Sequence, residues 1–323
     1  MTQLTNFLAV VRGGSVTAAA EQLVVTQPSV SAAVAALSRE LGVHLTARAG
    51  RGVVPTRAGE AFAPYASDVL GLLEQGRRAA LEAAGAADRE LRIAAVTTAA
   101  EYIVVPLIKA YGGQRPDVSV TLSVDNREGV FASVLEHRAD VAIGGRPARD
   151  GGLVGTPFLE NEIVGITAPD DPLVGEADVP VQALAERPWL LRERGSGTRA
   201  MVEDYLAAHG LAPMALTLGS NGAIKQAAQA GLGVSLQSRL AVQLELAQGR
   251  LATIALREPP TAREWYVIRA ATGPVREATE AFASFVTSPG RARRPVDRSR
   301  HMTAAAALAW RCSEITWYRG RHG

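Results

Sequence analysis

Cysteine is almost absent from this chain, Cys312 being the only one in 323 residues. An intramolecular disulfide framework and a cysteine-based metal cluster are thereby excluded, in keeping with a reducing compartment. Lysine is nearly as scarce, with Lys109 and Lys225 alone. No stretch reaches the roughly 18 uninterrupted apolar residues of a membrane span. The start MTQLTNFLAVV lacks the basic flank of a secretory signal. A cytoplasmic protein without a membrane partner is expected. The five histidines (44, 137, 209, 301, 322) have no H-E-x-x-H spacing, and no G-x-S-x-G elbow occurs. Neither an enzyme, a metal site nor a cofactor is expected.

Excess positive charge is also missing from the body of the chain, despite a pI of about 8.9. From Pro289 onward eight arginines face only Asp297 and Glu314, a net of +6; the whole chain is +2, so residues 1–288 stand at −4. Overall charge therefore describes the tail, 289–323, which is expected to be disordered, with a basic interaction arm as the other reading.

What is present begins with helix punctuation. In VVTQPSVSAAVAALSREL, Thr26 is a candidate N-cap and Pro28 falls in the first turn, where its missing N–H has no intrahelical partner to lose. Val30, Val34, Leu37 and Leu41 recur at helical spacing, leaving Gln27, Ser29 and Ser31 as short polar side chains at the amino end. Upstream, Leu4, Phe7, Leu8 and Val11 give one apolar face, Gly13-Gly14 ends that helix and Ser15 caps the next. This is the spacing of a helix-turn-helix, followed by VHLTARAGRGVVPT with Arg48 and Arg51 around glycines, as a hairpin wing requires. A helical bundle with a solvated polar end fits the spacing equally well.

The run FLAVVRGGSVTAAAEQLVVTQPSVSAAVAALSRELGVHL, with PTRAGE after it, resembles the winged helix-turn-helix of LysR-type transcriptional regulators, and the resemblance extends over about residues 3–288. By matching positions it implies that Gln27, Pro28 and Ser31, beside Thr26 and Ser29, meet the bases of double-stranded DNA, with Arg48 and Arg51 serving the wing. Two departures stand out. The segment LTAR lacks the usual Phe and acidic residue, and Ala32, Ala33 and Ala35 replace charged or amide side chains. Fewer phosphate contacts from that helix imply weaker non-specific binding or greater reliance on the wing.

Four segments follow. Residues 1–58 form the DNA-binding domain and 59–88 a linker helix and hinge. Residues 89–288 form a two-lobed α/β effector domain like a periplasmic binding protein, and 289–323 the tail. In the linker, Phe62, Tyr65, Val69, Leu72, Gly76, Ala79 and Ala83 alternate at steps of three and four, either as a dimer seam or as the inner face of a helix on its own domain. The family implies a homodimer or homotetramer, with RNA polymerase as a further partner.

From Leu91 the expected order is LRIAAV, a helix over AEYIVVPLIKAY, VSVTLSV, a helix over GVFASVLEH and DVAIGG; then, in a second run from near Glu162, PWLLRER, a helix after Gly197, MALTLGS, a helix over AIKQAAQA, GVSLQS and LATIAL. The chain returns through REWYVIRA and a final helix near 275–287, and the rhythm is that of a parallel α/β sheet. Lobe I takes about 89–160 and 266–288, and lobe II about 161–265. Three strand ends run into helix starts with polar side chains: Thr97-Thr98, Ser196 to Thr198, and Ser220-Asn221. Free N–H groups there favour anions, and Asn126, Arg127, Arg146, Arg199 and Lys225 stand nearby in sequence. A small anionic metabolite is the expected effector. Duller readings coexist: Thr98 with Glu101 fits a capping box, and Arg146, Arg199 and Lys225 fit surface charges. GSGTRA matches G-x-G-x-x-A but lacks the acidic residue about 20 positions on, against a dinucleotide site. NREGV, IGGRP, LRERGSGTR and SNGAIKQAAQAGLGV resemble the branch of the family that regulates carbon-fixation operons, which senses phosphorylated or other anionic metabolites. The alternative is a two-lobed solute-binding protein with no DNA role.

Overall fold

The computed structural model describes residues 1–50, 52–85, 89–149 and 151–288. Arg51 and the whole 289–323 tail, two subjects of the expectations above, lie outside the described residues. The chain divides into two compact units, the first chiefly Met1–Asp88 and the second running from Arg89.

The first unit is a three-helix core with a hairpin and a long helix. Helix α1 (Thr2–Gly13) stops where Gly14 turns left-handed at φ 63°. Ser15 caps α2 (Val16–Leu23) by accepting the Ala18 N–H. Thr26 caps α3 (Gln27–Leu41) by accepting the Ser29 N–H, and Gly42 closes it at φ 71°. Phe7, Val10, Ala19, Val30, Val34 and Leu37 form the shared core. Strands β1 (Thr46–Ala49) and β2 (Gly52–Pro55) pair antiparallel. Helix α4 (Arg57–Ala83) then starts at Thr56, whose hydroxyl accepts the Gly59 N–H. A β-carbon at Gly59 would lie within 2.0 Å of the Leu45 carbonyl oxygen, so glycine is required for this close approach.

In the second unit the chain builds two sheets. Strands β3 (Arg89–Val96), β4 (Val118–Asp125), β5 (Val141–Gly144), β6 (Leu153–Asn161) and β12 (Arg263–Ala270) make one, in the order β4-β3-β5-β12-β6. The first three are parallel, whereas β12 runs antiparallel to both β5 and β6, so the sheet is mixed and not wholly parallel as expected. Strand β3 is covered on both faces: Leu91, Ile93 and Ala95 enter one core and Ala94 another. The nine-residue β6 has no counterpart among the expected strands. Pro157 disguises it, and is tolerated because β6 is an edge strand with a bulge opposite Trp265–Tyr266.

The second sheet combines β7 (Ile163–Thr167) between β10 (Ser235–Ser238) and β11 (Ala252–Ile254) with the parallel pair β8 (Trp189–Leu191) and β9 (Ala215–Thr217). A parallel bridge from Trp189 to Val234 joins the two groups. The chain passes between sheets at Asn161–Ile163 and again between Ile254 and Arg263.

The expected helix over AEYIVVPLIKAY consists of α5 (Thr97–Ala99), a π-helical turn (Ala100–Val104) and α6 (Val105–Gly112). Pro106 has no N–H to give and would crowd the carbonyl of Tyr102; the wider π turn accommodates it. Helices α7 (Arg127–Leu135), α8 (Gly197–Ala208), α9 (Asn221–Gln229), α10 (Arg239–Ala247) and α11 (Glu277–Thr287) complete the unit. Among these, α10 has no sequence-based counterpart. Among the described residues, no helix is long and apolar enough to cross a membrane.

Candidate functional site

The amino end of α3 is open. Thr26, Gln27, Pro28, Ser29 and Ser31 are all exposed, as is Arg48 on β1. The Thr26 and Ser29 hydroxyls are hydrogen-bonded to each other at 2.8 Å, so these two also serve the cap. A groove of about 640 Å³ runs between the flank of α3 and the hairpin, and Ser31, Ser38, Arg39, His44 and Arg48 all line it. Polar side chains and two cations are thus presented along one side of the unit, where a duplex could be gripped by base and phosphate contacts.

The second unit holds a cleft between its two sheets. Thr97, Thr98, Asn126, Arg127, Ser196 and Thr198 line it, as expected from sequence. Arg192, Arg263, Asn161, Ser238, Gly145 and Trp265 line it too, and none of these was expected. The cavity has a volume of about 40 Å³, room for a few waters at about 10–15 Å³ each. A larger ligand requires the lobes to part.

Its charged lining is Arg127, Arg263, the Glu193-paired Arg192 and one carboxylate, Glu264, which accepts from the Tyr266 hydroxyl. Arg127 opens α7 and Arg263 opens β12. A β-carbon on Gly145 would meet Arg263 Nη2 at 3.1 Å and Arg127 Nη1 at 3.2 Å, so both guanidiniums converge on one spot. Arg127 also donates to the Arg146 carbonyl at 2.6 Å and stacks on Phe131 at 4.4 Å. Arg263 reaches across to the Gly197 carbonyl at 3.1 Å. Neither makes an ion pair within 4.0 Å among the described residues. Burial and the neighbouring charge of Arg263 lower the pKa of Arg127, and burial lowers that of Arg263 against the pull of Asp204. Two desolvated cations side by side repel, by a few kcal/mol at most before solvent screening. An anion placed between them would reverse that cost.

Beside this spot lies a clasp of neutral and ionic hydrogen bonds. The guanidinium of Arg192, 4% exposed, forks onto Glu193 at 2.7 and 2.9 Å. It also donates to Asn221 Oδ1 at 2.5 Å and to Thr97 Oγ1 at 3.4 Å. Asn221, 1% exposed, donates in turn to Thr98 Oγ1 at 3.0 Å. Thr97, Thr98 and Asn221 thus spend their polar atoms tying one sheet to the other. Ser196 caps α8, accepting the N–H groups of Thr198 and Arg199.

Three expected cations fall elsewhere. Arg199 turns along its own helix to Glu203 at 2.8 Å and to Thr217 and the Arg192 carbonyl. Lys225 is ion-paired with Glu245 at 2.7 Å and donates to the Tyr102 hydroxyl at 3.3 Å. Arg146 is exposed and contributes only its carbonyl to the cleft wall. For Arg199 and Lys225 a nearer acceptor captures the long side chain.

Residues 1–60 match the family model described as bacterial regulatory helix-turn-helix protein, lysR family, and residues 84–289 match that of the LysR substrate binding domain. The chain belongs to the LysR family. With a helix-turn-helix matched at one end, it is a transcriptional regulator with an effector domain, and the reading as a solute-binding protein without a DNA role falls away. The CbbR regulator of Sinorhizobium medicae is 34% identical over 92% of this LysR-family chain and 95% of its own length. A RuBisCO operon transcriptional regulator of Acidithiobacillus ferrooxidans is 32% identical over 88% and 92%. These names agree with the carbon-fixation branch suggested by the sequence motifs. The regulatory domain of Synechocystis PCC6803 CcmR, solved in complex with 2-PG, is 33% identical with a TM-score of 0.58, covering 61% of this chain and 95% of that one. The two-lobed fold is therefore that of the family's effector domains.

Proposed function

We propose that this LysR-family regulator senses a small anion, held between Arg127 and Arg263 in the interlobe cleft. The observation that carries the reading is the convergence of two cations with no carboxylate partner on one spot above Gly145. The side chains of Thr97, Thr98, Arg192 and Asn221 hold the closed arrangement around it. The N–H groups at the start of α8, near Ser196 and Thr198, add to the field. A ligand that binds one interlobe arrangement more tightly than another shifts the balance between them, and with it the arrangement on DNA. The 2-PG carried by the CcmR domain is the natural probe. Calorimetric titration should give saturable 2-PG binding to the full chain, reduced about tenfold or more in Arg127→Gln. Equal affinity in both proteins would refute the reading.

On the DNA side, Gln27, Pro28 and Ser31 read bases, Thr26 and Ser29 set the helix start, and Arg48 with Arg51 engages phosphates or the adjacent minor groove. Gln27→Ala should cost about 1–3 kcal/mol on the specific site and little on random DNA. The exposed stripe Tyr65, Val69 and Leu72 on α4 supports a homodimer through this helix, which gives a two-fold pair of recognition helices. The protein acts in the cytoplasm by binding and not by catalysis, with RNA polymerase as a further partner.

A further inference from the structure

Strand β12 brings a second group to the cleft. Trp265 lies two residues beyond Arg263, and both line the cavity. The alternation of the strand supports a common face, because Trp265 and Val267 pack in one core while Tyr266 and Ile268 pack in the other. The indole is 5% exposed, and its Nε1 is fully buried with no hydrogen-bond acceptor among the described residues. The other described tryptophan behaves differently: Trp189, 1% exposed, donates its Nε1–H to the Leu184 carbonyl at 3.1 Å. A buried indole donor without a partner forfeits a hydrogen bond it could make in water, and such groups call for a specific explanation.

We infer that Trp265 is a second anchor of the effector, its indole N–H donating to an acceptor oxygen distinct from the anionic group held by Arg127 and Arg263. The inference rests on the anion-sensing reading above and narrows the ligand class. A bare inorganic anion satisfies the arginine pair alone. A small phosphorylated or doubly acidic metabolite, with an oxygen acceptor a few bonds from its charged group, satisfies both. Arg263, Glu264 and Trp265 run in unbroken register against Asn161, Glu160 and Leu159, so the spacing of the two anchors is that of two steps along one strand.

The test compares 2-PG with inorganic phosphate on the full-length protein, wild type and Trp265→Phe. Phenylalanine retains an aromatic ring and removes the donor. The expected result is a loss of about tenfold in 2-PG affinity, as for a hydrogen bond to a charged acceptor, with phosphate affinity unchanged. An indole-15N spectrum of the wild-type protein gives a second reading that needs no folded variant: one indole N–H resonance should move downfield on saturation with 2-PG. Unchanged 2-PG affinity in the variant, equal losses for both anions, or indole resonances indifferent to 2-PG would each overturn the inference while leaving the arginine site standing. Failure of the wild-type chain to bind either anion would overturn both together.

Discussion

Arg127 Nη1 and Arg263 Nη2 lie 3.2 and 3.1 Å from the position that a β-carbon on Gly145 would occupy. They come from different strands' ends, α7 after β4 and the start of β12, and are brought together by the β5–β12 pairing. Gly145→Ala should therefore keep the fold, because the atoms it meets are the far ends of flexible side chains. The same change should weaken anion binding about tenfold by splaying the pair. Arg263→Gln relieves the repulsion, so the unliganded protein should unfold at the same temperature or higher. It should also lose the stabilisation that a ligand at a hundredfold excess over its Kd provides, about 2.7 kcal/mol. Thermal unfolding with and without 2-PG checks both.

Asn221 accepts from Arg192 and donates to Thr98, and it is almost fully buried. Asn221→Ala leaves a buried guanidinium short of an acceptor, for which a cost of about 1–3 kcal/mol is expected. Thr98→Ala removes only an acceptor at the other end and should cost less. Urea unfolding of the two variants gives the order, and a larger loss for Thr98→Ala would contradict the clasp as drawn.

Val24, in the turn between α2 and α3, is held at φ 56° although it is β-branched and 89% exposed. A left-handed residue with a β-carbon costs about 1–2 kcal/mol, partly offset for glycine by greater chain entropy when unfolded. Val24→Gly should raise the stability of the first unit by up to about 1 kcal/mol. A lower melting temperature would show that the valine makes a compensating contribution.

His209, at the end of α8, places Nδ1 2.7 Å from the Tyr205 carbonyl and Nε2 2.8 Å from a Glu258 carboxylate oxygen. Both neighbours are acceptors, which suits a ring carrying two protons. The Tyr205 carbonyl and then Glu258 accordingly raise its pKa. A raised folded pKa means that the contribution to stability is fully present below the unfolded value of about 6.5 and is lost as pH rises through the folded pKa. Chemical denaturation across that window should show stability falling with pH in the wild type and a flatter profile in His209→Gln.

How far these sites can be read from sequence depends on how local their physics is. Helix α3 is legible because Thr26, Pro28 and Gly42 set its ends within a few residues, and the polar tip follows from the buried stripe of Val30, Val34 and Leu37. The cap at Ser196 and the polar ends at Thr97, Thr98 and Asn221 are legible for the same reason. Arg192 and Arg263 are not, since each sits within or beside a strand whose partners come from distant segments. Arg199 and Lys225 mislead in the opposite direction: their position near helix starts suggests a ligand, but Glu203 and Glu245 claim them. The latter lies on α10, a helix with no sequence-based counterpart. Strand β6 stays hidden behind Pro157, a residue that only an edge position permits.

The central claim is that one chain both reads DNA and reports an anion. Fluorescence anisotropy of the purified full-length protein on DNA from its own upstream intergenic region, with scrambled DNA as competitor, tests it most directly when repeated with and without 2-PG. Selective binding, with a midpoint or salt dependence that 2-PG alters in the wild type and alters in Gly145→Ala only at about tenfold higher 2-PG, is the predicted result. Binding no better than to scrambled DNA at several salt concentrations, or selective binding equally indifferent to 2-PG in both proteins, would contradict it.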